Sequence, residues 1–217
     1  EKIREMEHTV KIKICGLSRA EDIRYVNEAR PDYCGFVIGV PKSRRNVTEE
    51  QLRRLRRGLR EGITPVGVFV NADPRLVAKL LEEGLIDAAQ LHGGENEEYI
   101  RKLREMTDRP LIQAFSVSEE RDLDRAFSGS AYWIILDQGK GGTGKPFDWE
   151  ILERWLFKHD PSKPYFLAGG LSCDNIPEAV QRCRPWAVDL SSSVETDGKK
   201  DREKILAAVA AVRSRRI

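Results

Sequence analysis

The stretch Ile134–Trp149, "IILDQGKGGTGKPFDW", carries an acid at the end of an apolar run and then four glycines within six residues (139, 141, 142, 144). Three templates compete for it. Gly139 to Lys145 matches GxxxxGK of a P-loop, Gly139-x-Gly141-x-x-Gly144 matches a dinucleotide fingerprint, and a long loop after a barrel strand is the third reading. A P-loop places Ser or Thr after Gly-Lys to hold magnesium, but Pro146 stands there and has no hydroxyl. The helix of either nucleotide motif opens directly from the glycines, whereas "PFD" intervenes here and Asp148 reads as the helix N-cap. A dinucleotide site also belongs at the first βα turn, not the sixth. The loop reading survives, and it assigns the fold through its neighbours.

Outward from this loop, strand and helix signals alternate along the whole chain. "TVKIKICG" (Thr9–Gly16) precedes "SRAEDIRYVNEA", a helix expected to be capped by Ser18 with Glu21 completing a capping box. Six further units follow, among them "TPVGVFVN" with "DPRLVAKLLEEG" and "AYWIILD" with "WEILERWLFKH", and the eighth is "AVDLSSS" with "DREKILAAVAAVRSR". Short β-rich runs alternating with helical patterns imply βαβ units and a parallel sheet. Eight of them predict a single-domain α/β fold, a closed (β/α)8 TIM barrel over residues 10–217, preceded by a polar N-terminal extension at 1–9.

Composition bounds the function classes. The 217 residues carry 37 basic against 35 acidic side chains, net +2, so no global field draws nucleic acid or an anionic membrane. The run "LRRLRRGLRE" places Leu52, Leu55 and Leu59 at helical spacing, which reads as a solvated helix face. Cys15, Cys34, Cys173 and Cys183 form no CxxC pair and the three histidines stand far apart, so no metal site is expected. With no signal peptide at the start and no apolar run near the ~20 residues of a membrane span, the expected location is cytoplasmic, with reduced thiols.

In a barrel the C-terminal strand ends line the active site. Those positions hold Cys15, Asn71, His92 and Asp137, then Gly169-Gly170 after the seventh strand and Ser191-Ser192-Ser193 after the eighth. Strand alternation turns Lys11, Lys13 and Cys15 inward, with Ala187, Asp189 and Ser191, while Ile12, Ile14, Val188 and Leu190 face the helices. Singly, each has a plain structural reading: a small buried thiol, a cap, a hydrogen-bonded histidine. Converging on one mouth, they describe a phosphate cup of glycines and serines opposite an acid and a thiol. A buried carboxylic acid and a thiolate beside a cation such as Lys13 make an acid–base pair suited to isomerising a phosphosugar without metal or organic cofactor.

The segments "KICG", "PKSRRNV", "GVFVN", "QLHG", "GGTGKPFDW", "LAGGL" and "VDLSSSVE" occur in this order. In that set the chain resembles the phosphoribosylanthranilate isomerase family of tryptophan biosynthesis over nearly its whole length. The resemblance implies an Amadori rearrangement of N-(5-phosphoribosyl)anthranilate to the carboxyphenylamino-deoxyribulose phosphate. It implies Asp137 as general acid on the furanose oxygen, Cys15 as general base at sugar C2, and Arg45 on the anthranilate carboxylate. His92, Gly141, Gly142 and Asp189 are implied in substrate binding, and Gly169, Gly170, Ser191, Ser192 and Ser193 in phosphate binding. The partner is then a small phosphorylated molecule, neither nucleic acid nor membrane, acted on by a monomer or homodimer. The chain departs from the family at Arg44, where proline is common and a second arginine competes with Arg45, and at Ser193, where glycine is usual. The alternatives are a lyase or epimerase on another phosphosugar, or a non-catalytic barrel; retained Cys15, Arg45 and Asp137 argue against both.

Overall fold

The computed structural model describes residues 9–138 and 148–214. Counting only barrel strands, β1 is Lys11–Cys15, β2 Tyr33–Ile38, β3 Thr64–Phe69, β4 Ala88–Leu91, β5 Leu111–Val117, β6 Trp133–Gln138, β7 Tyr165–Leu167 and β8 Ala187–Leu190. The intervening helices are α1 Ala20–Ala29, α2 Glu49–Gly58, α3 Pro74–Glu82, α4 Glu97–Arg104, α5 Glu120–Ser128, α6 Trp149–Lys158, α7 Ile176–Cys183 and α8 Arg202–Arg213. Every barrel pairing is parallel, and β1 closes the ring by pairing with both β2 and β8. The predicted (β/α)8 barrel is therefore the observed fold. The extension ascribed to the first nine residues falls, up to residue 8, outside the described residues.

Strand periodicity sorts the core into two layers. Ile12, Ile14, Val188 and Leu190 join the large cluster between strands and helices, as alternation required. Inside the ring, Val66, Ala88, Ile112, Ile135, Phe166, Ala168 and Ala187 pack as a separate cluster that fills the barrel. Burying each larger side chain contributes roughly 1.5–3 kcal/mol, so both layers hold the strand ends rigidly.

The arginine-rich α2 follows the amphipathic reading. Leu52 and Leu55 are buried, Thr48 caps the helix by accepting from Gln51 N at 3.2 Å, and Arg53 pairs with Glu49 at 2.7 Å. The cap expected at Ser18 is different: Arg19 holds the N-cap position, and Asp22 accepts from the backbone N–H groups of Ser18 (2.9 Å) and Arg19 (3.0 Å). Asp22 is shorter than Glu21 and buried, so it reaches these amides while Glu21 faces solvent. Asp148 caps α6 as expected, accepting from Glu150 N at 3.0 Å.

Two features lie outside the eight-unit pattern. A two-residue strand, Asn46–Val47, extends the sheet beside β2. After β8, a short 3-10 turn (Ser192–Val194) leads into a hairpin in which Glu195 faces Lys200 and Thr196 faces Lys199. Asp197 and Gly198 turn it with φ 50° and 74°, the positive values a tight two-residue hairpin needs.

Candidate active site

Strand β1 brings Lys13 and Cys15 to the inner face, and β8 brings Asp189 directly opposite Lys13. The Lys13 side chain is 0% exposed, and its Nζ donates to Asp189 Oδ1 at 2.9 Å. Burial alone would lower the lysine pKa, but Asp189 and the Cys15 sulfur outweigh it and raise the value above normal. The Cys15 thiol is pushed up by its burial, while Lys13 draws it back toward thiolate. Room for the sulfur comes from β2: a Cβ at Gly35 would lie 2.7 Å from Cys15 Sγ. Sequence reasoning passed over this glycine, although an in-strand glycine is itself a sign of close approach.

Asp137 ends β6. Its Oδ1 accepts from Gln138 N at 2.7 Å, and its Oδ2 lies 3.8 Å from His92 Nε2. Burial raises the carboxyl pKa, against the opposing Gln138 hydrogen bond and His92. On its other side, His92 Nδ1 lies 2.8 Å from Gln90 Nε2. Which imidazole nitrogen carries the proton follows the orientation of the Gln90 amide, whose Oε1 is buried without a partner among the described residues. Gly169 (φ 84°) makes space here too, because its Cβ would stand 2.8 Å from Asp137 Oδ1.

His92, Asp137, Gly169, Gly170, Asp189 and Ser191–Ser193 line one cleft of about 490 Å³. Gly170 also has positive φ (70°), and Asn175 Nδ2 holds its carbonyl at 2.9 Å. Ser191 turns its hydroxyl to the Cys15 carbonyl at 3.1 Å, joining β8 to β1. The Ser193 backbone does not have positive φ, and its buried Oγ has no partner among the described residues. Asn71, another strand-end residue, braces the scaffold: its Oδ1 accepts from Gly94 N at 2.8 Å and its N–H donates to Glu95 at 2.7 Å.

Arg45 stands on the other side of Ser191, lining a second cleft of about 290 Å³ with Gly16, Glu195 and Lys200. Its stem lies over Gly16, where a Cβ would be 2.4 Å from Arg45 Cδ. Its Nε and Nη2 donate to Glu195 at 2.8 and 2.9 Å. Arg44 is the outer of the two arginines, its side chain 59% exposed against 24% for Arg45. Gly141 and Gly142, expected to contact substrate, lie outside the described residues, as does the rest of their loop. Among the described residues no group of three or more His, Cys, Asp or Glu is placed to hold a metal, and no helix is long and apolar enough to cross a membrane.

A family model described as N-(5'-phosphoribosyl)anthranilate isomerase matches residues 12–211. The chain belongs to this family. It is 43% identical over 210 residues to the N-(5'-phosphoribosyl)anthranilate isomerase of Endomicrobium trichonymphae, covering 94% of this chain and 98% of that one. The Clostridium acetobutylicum isomerase is 40% identical over 208 residues, with the same coverage. Among solved structures, phosphoribosyl anthranilate isomerase from Thermotoga maritima superposes with TM-score 0.84 at 36% identity, over 95% of this chain and all (100%) of that one. A similar structure (TM-score 0.81, 36% identity, the same coverage) is the isomerase in complex with reduced 1-(o-carboxyphenylamino)-1-deoxyribulose 5-phosphate.

Proposed function

We propose that this barrel converts N-(5-phosphoribosyl)anthranilate to 1-(2-carboxyphenylamino)-1-deoxyribulose 5-phosphate. One observation carries the reading: a half-buried acid, Asp137, shares a cleft with the glycine and serine loops of β7 and β8, while the Lys13–Asp189 pair ties that cleft to Cys15. Asp137 gives its proton to the furanose oxygen as the C1–O bond breaks, leaving an imine between C1 and the anthranilate nitrogen. Its raised pKa favours the protonated form this step requires. Cys15, as thiolate beside Lys13, removes the proton from C2. The resulting enolamine gains a proton at C1 and loses the C2 hydroxyl proton, giving the ketone.

The remaining residues hold the substrate in place. Amides of the Gly169–Gly170 loop and the Ser192–Ser193 turn meet the phosphate, joined by the Ser193 hydroxyl, which has no partner among the described residues. Asp189 holds a sugar hydroxyl while paired with Lys13, and His92 presents Nε2 toward Asp137 and the leaving ring oxygen. Arg45 receives the anthranilate carboxylate through its guanidinium fork. The assay is direct: purified protein is mixed with freshly made N-(5-phosphoribosyl)anthranilate and loss of its fluorescence is followed. Enzymatic decay with appearance of the ketose phosphate supports the reading, and decay no faster than the spontaneous rate overturns it.

A further inference from the structure

The hairpin after β8 places a buried ion cluster against Arg45 that the proposed reaction does not use. Glu195 and Lys200 are register partners across the hairpin, with Lys200 Nζ 2.6 Å from Glu195 Oε1 and side-chain exposures of 1% and 4% for Lys200 and Glu195. Lys200 also donates to the Ser191 carbonyl at 2.9 Å, so the pair is fastened to the end of β8. Arg45 meets both Glu195 oxygens along one edge of its guanidinium, and Arg44 adds a bond to Oε2 at 2.7 Å from the solvent side. Three cations thus face one carboxylate, and the surplus positive charge suits an anionic ligand.

We infer that Glu195 is a positioning residue for recognition of the substrate carboxylate: gripped by Lys200, it fixes one edge of Arg45 and leaves the other for the ligand. A guanidinium carries five donors, and Glu195 engages one on Nε and one on Nη2. Among the described residues the Arg45 side chain makes no other hydrogen bond. An arginine without this grip loses side-chain freedom when it binds, while one already held does not. Glu195 holds its charge firmly: burial opposes ionisation, but Arg45 and Lys200 bring its pKa down to about 2. Arg44 cannot replace Arg45, because its path runs over Gly198 on the outside of the hairpin.

The inference rests on the isomerase reading, and steady-state kinetics with two substrates test both. N-(5-phosphoribosyl)anthranilate is compared with its carboxyl-free analogue, N-(5-phosphoribosyl)aniline, using wild type, Glu195→Gln and Glu195→Asp. Glu195→Gln should raise KM for the carboxylated substrate about tenfold, the scale of one charge-assisted contact, with kcat within about threefold. KM for the aniline substrate should move less than about twofold, and Glu195→Asp should recover part of the loss. Adding Glu195→Gln to Arg45→Ala should cost nothing more, since the two act through one contact. If Glu195→Gln does not fold, Glu195→Gln with Lys200→Met, which removes both buried charges together, should show the same loss of selectivity. An unchanged KM, equal losses on both substrates, or a loss confined to kcat overturns the inference. A wild type inactive on both substrates overturns the isomerase reading and this inference with it.

Discussion

Lys13 Nζ and Asp189 Oδ1 meet at 2.9 Å between register partners on β1 and β8, the two strands that close the barrel. This pair sets the electrostatics of the thiol two residues beyond Lys13. Replacing Lys13 by Met leaves Asp189 buried and unpaired, which should cost about 3–5 kcal/mol in urea unfolding. Lys13→Met with Asp189→Leu should recover most of that stability yet leave kcat low, because Cys15 has lost its cation. Recovered activity in the double variant would remove Lys13 from the chemistry.

Asp137→Asn keeps shape and removes the transferable proton, and Cys15→Ser substitutes a far weaker acid. Each should lower kcat by about 10²–10⁴-fold while the reduced product analogue still binds by calorimetry. Near-native turnover by either variant would exclude its residue.

The acid and base titrate in an order that shapes the pH profile. In the proposed mechanism the active form has a proton on Asp137 and none on Cys15, and both pKa values are raised by burial. Between them the carboxyl loses its proton as fast as the thiol does, so the product of the two active fractions is constant. With the substrate phosphate ionisation near about 6 divided out, kcat/KM should show a plateau. It should fall on the acid side as the thiolate is lost below the Asp137 value. Above the Cys15 value it should fall again as protonated Asp137 runs out. A simple optimum near neutrality would contradict this order.

Stability should depend on acid through Glu195. Its folded pKa, about 2, lies below the unfolded value of about 4.3, so its contribution is complete above the unfolded value and lost as pH falls toward 2. The difference is on the order of 3 kcal/mol. Wild type should therefore lose its margin over Glu195→Gln between pH 5 and 2 in denaturant titrations, and a margin constant with pH would refute the assignment.

Two substitutions test space rather than charge. Gly35→Ala would set a Cβ 2.7 Å from Cys15 Sγ, and the displaced thiol should lower kcat at least about tenfold. Ser193→Gly should weaken the reduced product analogue by no more than about tenfold, the loss of one ordinary hydrogen bond, with melting temperature level or slightly lower. A higher melting temperature with unchanged affinity would mean that Ser193 is idle.

Much of this protein could be read from its residues in order. Period-two runs ending in Cys15, Asp137 and Gly169–Gly170, each followed by a helical pattern, determined the barrel, the strand phase and the inward Lys13. A strand's faces alternate whatever surrounds it, so local order is sufficient for that. The Asp197–Gly198 turn was also there to be found, since Asp-Gly between β-prone residues signals a hairpin. What the hairpin accomplishes was not legible. Glu195 stands 150 residues from Arg45, and nothing in either segment says that they meet. The same holds for Gly35 beneath Cys15 and Gly169 beside Asp137. Closing the ring brings β8 against β1 and decides which glycine vacates space for which side chain and which carboxylate holds which arginine. Those contacts depend on distances across the barrel mouth, which only the packed ring of strands and helices sets.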